Sequence, residues 1–448
     1  MCIIFDMKHY TTPLALTFLL STLVSEVSAQ QTQAKIPFTI DQIWQKVSEN
    51  NKAVHMQDLS ISGTVENIKD AKAERLPDIS AEGEYARVSN LPIYENGLFH
   101  TPSQMEVVHT SYKFGADAYL NIYNGSKTNI KIAEEKKENE IAHEQRNLTI
   151  SEMRLRATAY YLDLQRSDIF KKLLLKDISD QQKQLDEIKQ LQKNGVVLKS
   201  DVLRVTLKLS RQQMALVQLN NDIAIANQKL DILTGMPDDT LVEPVGDADA
   251  DLPVLKTYAD YLAEAMDHSF AYKISEKEGE LRKLQLKDVK ANVAFKLGMF
   301  ANYNYSYPQI LLYPYSIAVY GLGFAGLKAS FPISSLYHNA HKTRAAELKY
   351  QLQEVEHADT QDKIRQEVNE AYLRYRESLT RIEVAKENIT QATENLRIVN
   401  NTYFNQLALV TDLLDADTQL LQTRFDYAAA RIAARLQYYQ LQKAIGNL

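Results

Sequence analysis

Residues 124–193 and 335–405 contain no proline and, between them, a single glycine, Gly125. Nothing inside either stretch breaks a helix, and at 1.5 Å per residue each would run about 100 Å as one rod. Their apolar residues recur every seven positions: Ile141, Leu148, Leu155, Leu162 and Ile169 in the first, Val368, Tyr375, Ile382, Ile389, Leu396 and Tyr403 in the second. Tyr372 and Leu379 add a second row beside the latter. A sustained seven-residue repeat packs helices side by side in a supercoil. Rods of this length consume residues without adding cores, so the domain count that chain length would suggest does not apply. Periodicity alone leaves an ordinary dimeric coiled coil open.

The two rods belong to a repeat. Shifting the chain by 211 residues places Tyr161-Leu162 on Tyr372-Leu373, Asn194 on Asn405, Asp201 on Asp412, Leu203 on Leu414, Leu230 on Leu441 and Gly235 on Gly446, without a gap. A constant offset over that span signals duplication. The seam is read at 236–253, where proline and aspartate cluster as in a loop. Each half (30–235 and 254–448) is expected to hold a short helix, two strands, a long helix, a turn and another helix. The long helices are placed at about 124–193 and 200–234, then 335–405 and 412–444. Lys193-Asn194-Gly195 suits a left-handed helix end. Ser200 and Thr411 are read as N-caps of the returning helices, with Asp201 and Asp412 adding favourable charge in the first turn.

The strands alternate. Tyr112, Phe114, Ala116, Ala118, Leu120 and Ile122 interleave with Ser111, Lys113, Gly115, Asp117, Tyr119 and Asn121. Val293 to Tyr305 repeats the pattern, with Lys296, Asn302, Asn304 and Ser306 among the other row. Strands are expected at about 80–89, 111–122, 293–306 and 317–331. The uncharged run from Ile310 to Leu327 is long enough for a membrane helix, but Pro314, Gly321, Gly323 and Gly326 make it a poor one, so it is read as a loop and then a strand. Apolar on one face and mostly polar on the other, over roughly 10 to 14 residues, is what a transmembrane β-strand needs. A soluble sheet with one wet face would show the same alternation. In lipid such strands must belong to a closed barrel. Four cannot close around a lumen, whereas three copies supply twelve. The expected class is therefore a mixed α/β membrane protein: a trimeric twelve-stranded β-barrel, four strands per chain, continuing into a long α-helical barrel.

The N-terminus fits export. Met7-Lys8-His9, the apolar run Leu14 to Val24 and Val27-Ser28-Ala29 read as a signal peptide over 1–29, with Met7 the expected start. Cys2 is the sole cysteine, so the mature chain would have no disulfide, thiolate metal site or lipidation point. A net charge of −6 gives no basic face for nucleic acid. No phosphate-cradling loop or His-Glu-x-x-His motif is present. His338 and His341 lack a third ligand, and Asp247, Asp249 and Asp251 lack the rest of a calcium loop, so no metal or other cofactor is expected.

Particular words then carry a resemblance. They are Leu76-Pro77-Asp78-Ile79, Leu120-Asn121-Ile122-Tyr123-Asn124-Gly125, Phe331-Pro332-Ile333, the stretch Asn194 to Leu203, Thr411-Asp412-Leu413-Leu414-Asp415-Ala416, and Leu230 to Gly235. Their order and spacing resemble the TolC-type outer-membrane efflux protein family over nearly all of the mature chain. The resemblance implies a homotrimer in outer-membrane lipid with a helical tunnel through the periplasm, serving as exit duct for a tripartite efflux pump or a type I secretion system. Its partners would be a periplasmic adaptor (membrane fusion) protein and an inner-membrane pump or ABC exporter, and it would not be an enzyme. It also implies a periplasmic gate of Asp412, Asp415, Tyr403 and Asp201, the last bonding Tyr403 from the neighbouring hairpin. The tips meeting the adaptor would be Asn194, Gly195, Val196, Val197 and Ser200, with Asn405, Gln406, Leu407 and Thr411. Gln406 departs from the family's glycine and Ala408 from a gate-locking arginine seen in one member, and no Leu-Pro precedes the third strand, where Asn292-Val293-Ala294 stands.

The residues themselves allow that role. Asp412 and Asp415 are three apart and share a helical face, so threefold symmetry would make two carboxylate rings, which attract cations and raise one another's affinity for protons. A first-turn helix charge at Asp412 and a solvated Asp415 remain the plainer alternative. The competing functional reading is an exported coiled-coil scaffold or adaptor of the cell envelope, which would share the heptads but need no alternating strands.

Overall fold

The computed structural model describes residues 35–238, 240–245, 252–309 and 316–448. The expected signal peptide, the acidic stretch at 247–251 and residues 310–315 of the uncharged run lie outside them.

The chain opens with strand β1 (Ile36–Phe38) and two helices joined by a single residue, α1 (Ile40–Asn50) and α2 (Lys52–Ala73). Thr39 starts α1 with a reciprocal cap to Gln42, and Asn51 ends α1 in extended backbone while its side chain caps α2. Strand β2 (Asp78–Arg87) follows, then a small ribbon β3 (Leu91–Ile93) and β4 (Ser103–Met105), then β5 (Thr110–Tyr123). The first rod is α3 (Lys127–Lys193), and α4 (Lys199–Thr234) returns along it. After β6 (Val242–Pro244) the order recurs: α5 (Tyr258–His268), α6 (Phe270–Lys290), β7 (Lys296–Tyr307), β8 (Tyr320–Ser330), α7 (Ser335–Phe404) and α8 (Val410–Ala444). Thr257 and Ser269 cap α5 and α6 as Thr39 and Asn51 cap α1 and α2.

Several boundaries differ from expectation. The third strand begins at Lys296, not 293, because Ala291–Val293 forms a 3₁₀ turn and Asn292 hydrogen-bonds Asn339 of α7 at 3.0 Å. The stretch read as linker is not all loop: β6 pairs in parallel with β1, and Tyr161 on α3 clamps that ribbon by directing its hydroxyl at the carbonyls of Phe38 (3.0 Å) and Val245 (2.7 Å). Burial then pushes the Tyr161 phenol up to about 12. Three-residue strands carry too little alternation to be legible in sequence.

Three apolar clusters hold the helices. One seats α1 on α3 and α4 through Ile43, Val47, Tyr161, Leu162, Leu230 and Val242. A second seats α5 on α7 and α8 through Tyr261, Ala265, Val368, Tyr375, Leu441 and Ile445. The third joins the far ends of the two hairpins. Helix ends 211 apart are alike: Gly235 (φ +70°) and Gly446 (φ +81°) both close in the left-handed region. A Cβ on Gly446 would sit 2.5 Å from the carbonyl oxygen of His268, so this helix end docks directly on the α5–α6 kink.

The four long strands make one antiparallel sheet in the order β2-β5-β7-β8. Register puts Ile79, Ala118, Ala301 and Ala325 in one cross-strand row, and Ser80, Asp117, Asn302 and Phe324 in the next. The two alternating rows of the sequence therefore lie on opposite faces.

Candidate functional site

Two regions lie at opposite ends of the rods: the sheet and the hairpin tips. In the sheet, one face carries Ile79, Tyr85, Tyr112, Phe114, Leu120, Met299, Tyr303, Tyr305 and Leu327. Ile79, Tyr85, Phe114 and Leu327 are more than half exposed within the single chain. The other face holds Asp78, Glu82, Glu84, Lys113, Asp117, Asn302, Asn304 and Lys328. Aromatic pairs collect at both ends of the apolar face. Tyr112 stacks on Tyr307 (4.9 Å between centroids) and Phe114 on Tyr305 (5.0 Å) at one end, and Tyr123 meets Phe295 (4.8 Å) at the other. Strands β2 and β8 each have one side without a partner strand among the described residues. An apolar face and two open edges of ten and eleven residues cannot remain in water without association. No helix among the described residues is long and apolar enough to cross a membrane.

At the other end, α3 stops at Lys193 and α7 at Phe404 with the same motif. The amide of Val196 donates to the carbonyl of Leu191 (2.9 Å) and that of Gly195 to Gln192 (3.0 Å), while Leu407 donates to Thr402 and Gln406 to Tyr403 (both 2.8 Å). Such a crossed pair needs a left-handed residue at its centre. Gly195 supplies it at φ +74°, and Gln406 adopts φ +65° despite its side chain.

The returning helices start earlier than Ser200 and Thr411. Their caps are Leu198 and Leu409, because the carboxylates of Asp201 and Asp412 reach back three residues to those backbone amides, at 3.1 and 3.0 Å. Ser200 and Thr411 are second-position helical residues instead. An acidic residue at the third position can set a helix start from behind, even with leucine as cap. That choice leaves Leu198, Leu407 and Leu409 turned to solvent, 71, 80 and 69% exposed, beside exposed Asn194, Gly195, Val196, Asn405 and Gln406 and half-buried Val197. Sequence reading did not single out Leu198 and Leu409. The signal was there: leucine recurs at both cap positions, 211 apart, where a polar residue is ordinarily favoured.

Behind the tips, Leu185, Ile188, Val205 and Leu209 of the first hairpin pack with Tyr403, Val410 and Leu413 of the second. Tyr403 is buried, and its hydroxyl has no hydrogen-bond partner among the described residues. Burial, and then the Asp201 carboxylate near it, push its proton affinity up. The structure thus brings Tyr403 and Asp201 together within one chain, without a hydrogen bond between them. Asp412 and Asp415 are both exposed, and Asp412 caps its own helix. His338 lies against Tyr337, and no group of three or more His, Cys, Asp or Glu among the described residues could hold a metal ion.

The fold has solved counterparts. It is similar to VceC, an outer membrane protein of Vibrio cholerae, at 15% identity and a TM-score of 0.71, covering 91% of this chain and 96% of that one. CusC, studied for its folding and transmembrane channel formation, matches at 14% identity and 0.75, over 91% and 92%. The open state of the MtrE outer membrane channel of Neisseria gonorrhoeae matches at 14% and 0.70, over 91% and 88%. At such identities the likeness speaks for the fold. No curated protein matches the chain by sequence. The family model for outer membrane efflux proteins matches residues 43–236 and 315–447, well over half of the chain, and these are channels, not enzymes. The chain belongs to the outer membrane efflux protein family.

Proposed function

We propose that the chain is one third of a trimeric outer-membrane duct: twelve strands close a barrel in lipid, and the rods continue it as a tunnel through the periplasm. The observation that carries this is the four-stranded sheet with one bare apolar face and two unpaired edges. Lipid offers no partner for a sheet edge, so β8 of one copy must pair with β2 of the next until the ring closes. The aromatic clusters supply a scale. Tyr112 and Tyr123 on β5 are about 37 Å apart along the strand at 3.4 Å per residue, or about 28 Å of height for a strand tilted by about 40°. That matches an apolar band of about 25 Å between aromatic girdles. The polar face then lines the lumen.

At the tunnel's far end, Asp412 and Asp415 form rings of carboxylates at the gate, backed by Tyr403 and Asp201. The exposed leucines beside Asn194, Gly195, Asn405 and Gln406 are the surface met by a periplasmic adaptor, which joins the duct to an inner-membrane pump or ABC exporter. Passive export of that pump's cargo is the function. The test is to purify the chain from outer membranes, establish a trimer in detergent, and record currents in planar bilayers. Asp412→Ala with Asp415→Ala should raise conductance or change cation selectivity; unchanged currents remove the gate assignment. A monomer soluble without detergent removes the duct itself.

A further inference from the structure

Helices packed side by side fill the space between them and leave voids little larger than a water molecule. Over the middle of α8, between α3 and α7, they do not: a cleft of about 410 Å³ opens there. Ile169 and Leu173 of α3, Ile389 of α7 and Tyr427, Ala428 and Ile432 of α8 supply its apolar wall. Ile169 and Ile389 belong to the two heptad rows, so the cleft is a layer of the helix packing that lacks a knob. Ala428 is the reason, because the buried α8 residues on either side of it, Leu420 and Ile432, carry large side chains where it carries a methyl. Three cations rim the space, Lys176, Arg424 and Arg431, and no carboxylate among the described residues lines it. Arg431 lies over the Tyr427 ring at 5.7 Å and donates to its hydroxyl at 3.3 Å. Arg424, half-buried, and Lys176, exposed, make no hydrogen bond or ion pair among the described residues. Asp177 feels the charge of Arg424 but takes its hydrogen bond from Gln212 of α4.

The rod architecture does not require this charge. Shifted by 211 residues, Arg424 falls on Gln213, Arg431 on Asn220, Lys176 on Glu387 and Ala428 on Val217. The other half of the duplication thus builds equivalent rods with none of the three cations, and with the bulk of valine where Ala428 leaves room. We propose that the cleft is a binding site for an amphipathic carboxylate. Its compact apolar body fills the space over Ala428, and its head group accepts hydrogen bonds from Arg424 and Lys176. The site is complete within one chain and does not depend on closure of a ring of copies. An apolar wall with a few polar groups at its rim, in a volume between about 300 and 1,000 Å³, is the form that small-molecule sites take. Covering the wall removes apolar surface from water, and the half-buried guanidinium gains a charge-assisted partner. The same rim repels a cation of equal shape.

The experiment titrates 1-naphthoate into the full chain purified in non-ionic detergent, by calorimetry, with protein-free micelles as the blank. Binding should saturate at one molecule per chain. The cation 1-naphthylmethylammonium, with the same ring system and opposite charge, should bind at least about tenfold more weakly. Arg424→Gln should weaken naphthoate by at least about tenfold, the loss of one hydrogen bond to a charged group. Leu173→Trp fills the cleft from its half-buried rim with the charges untouched, and should abolish saturable binding. Arg381→Gln, on α7 outside the cleft, should leave it unchanged. The first two variants remove different features, charge and space, so misfolding of one leaves the other to decide. Equal binding of the two probes, an Arg424→Gln or Leu173→Trp protein that binds as wild type does, or an equal loss in Arg381→Gln overturns the proposal. So does the absence of saturable uptake, which would mean that another copy or a protein partner covers the cleft.

Discussion

Replacing Gln406 with glycine should firm the second hairpin tip. Gln406 sits at φ +65° in the same crossed hydrogen-bond motif that Gly195 completes at φ +74°. A side chain in the left-handed region costs about 1–2 kcal/mol through the contact of Cβ with the following carbonyl. Glycine loses part of that advantage, about 0.5–1 kcal/mol, to the greater freedom of its unfolded backbone. Gln406 is exposed, so little packing is forfeited, and the balance is a local gain of about 0.5–1 kcal/mol. Amide hydrogen exchange reads it directly. The Leu407 N–H, bonded to Thr402 at 2.8 Å, should exchange about two- to fivefold more slowly in Gln406→Gly. Gly195→Gln should do the reverse at Val196, whose amide reaches Leu191, and the double exchange should return the overall melting temperature to that of wild type. Faster exchange at Leu407 in the glycine variant, or no change at Val196 in the glutamine one, would show that the positive φ carries no cost and that the tips are not equivalent.

Other perturbations probe the remaining regions. Ala301 lies midway along the apolar face between Ala118 and Ala325, so Ala301→Arg should cost about 2–4 kcal/mol in lipid and abolish heat-resistant trimers on gels, while Asn302→Arg, on the other face, should be tolerated. Glu134 on α3 is pushed to about 7 by burial and then by Asp288, Glu135 and Glu138. Its folded form therefore binds the proton more tightly, stability should rise as pH falls from about 7 towards 4.5, and Glu134→Gln should flatten that slope in melting curves from pH 5 to 8. Tyr161→Phe removes the hydroxyl that holds both strands of the β1–β6 ribbon and should cost about 1–2 kcal/mol, with new protease cleavage near Phe38 as the local sign.

The long-range plan of this protein is written in its periodicities. Proline-free heptads such as Ile141 to Ile169 and Val368 to Tyr403 determine rods because helix geometry repeats every turn and needs no distant information. The alternation of Tyr112 to Ile122 likewise determines a strand with two unlike faces. The matching of Asn194 with Asn405 and Asp201 with Asp412, 211 residues apart, marks two equivalent turns in the sequence itself. What the local pattern could not decide was which atoms close each junction. Leu198 and Leu409, not Ser200 and Thr411, cap the returning helices, because Asp201 and Asp412 reach back to satisfy their amides. The β1–β6 ribbon pairs segments about 200 residues apart, and Tyr161, 123 residues from Phe38, bonds across it. The union of Lys208 with Asp417 spans 209 residues and has no sequence signature at all. Period and propensity act over one turn or one pleat and are legible in order along the chain; charge pairing, capping and burial depend on which surfaces meet, and only the packed molecule brings those surfaces together.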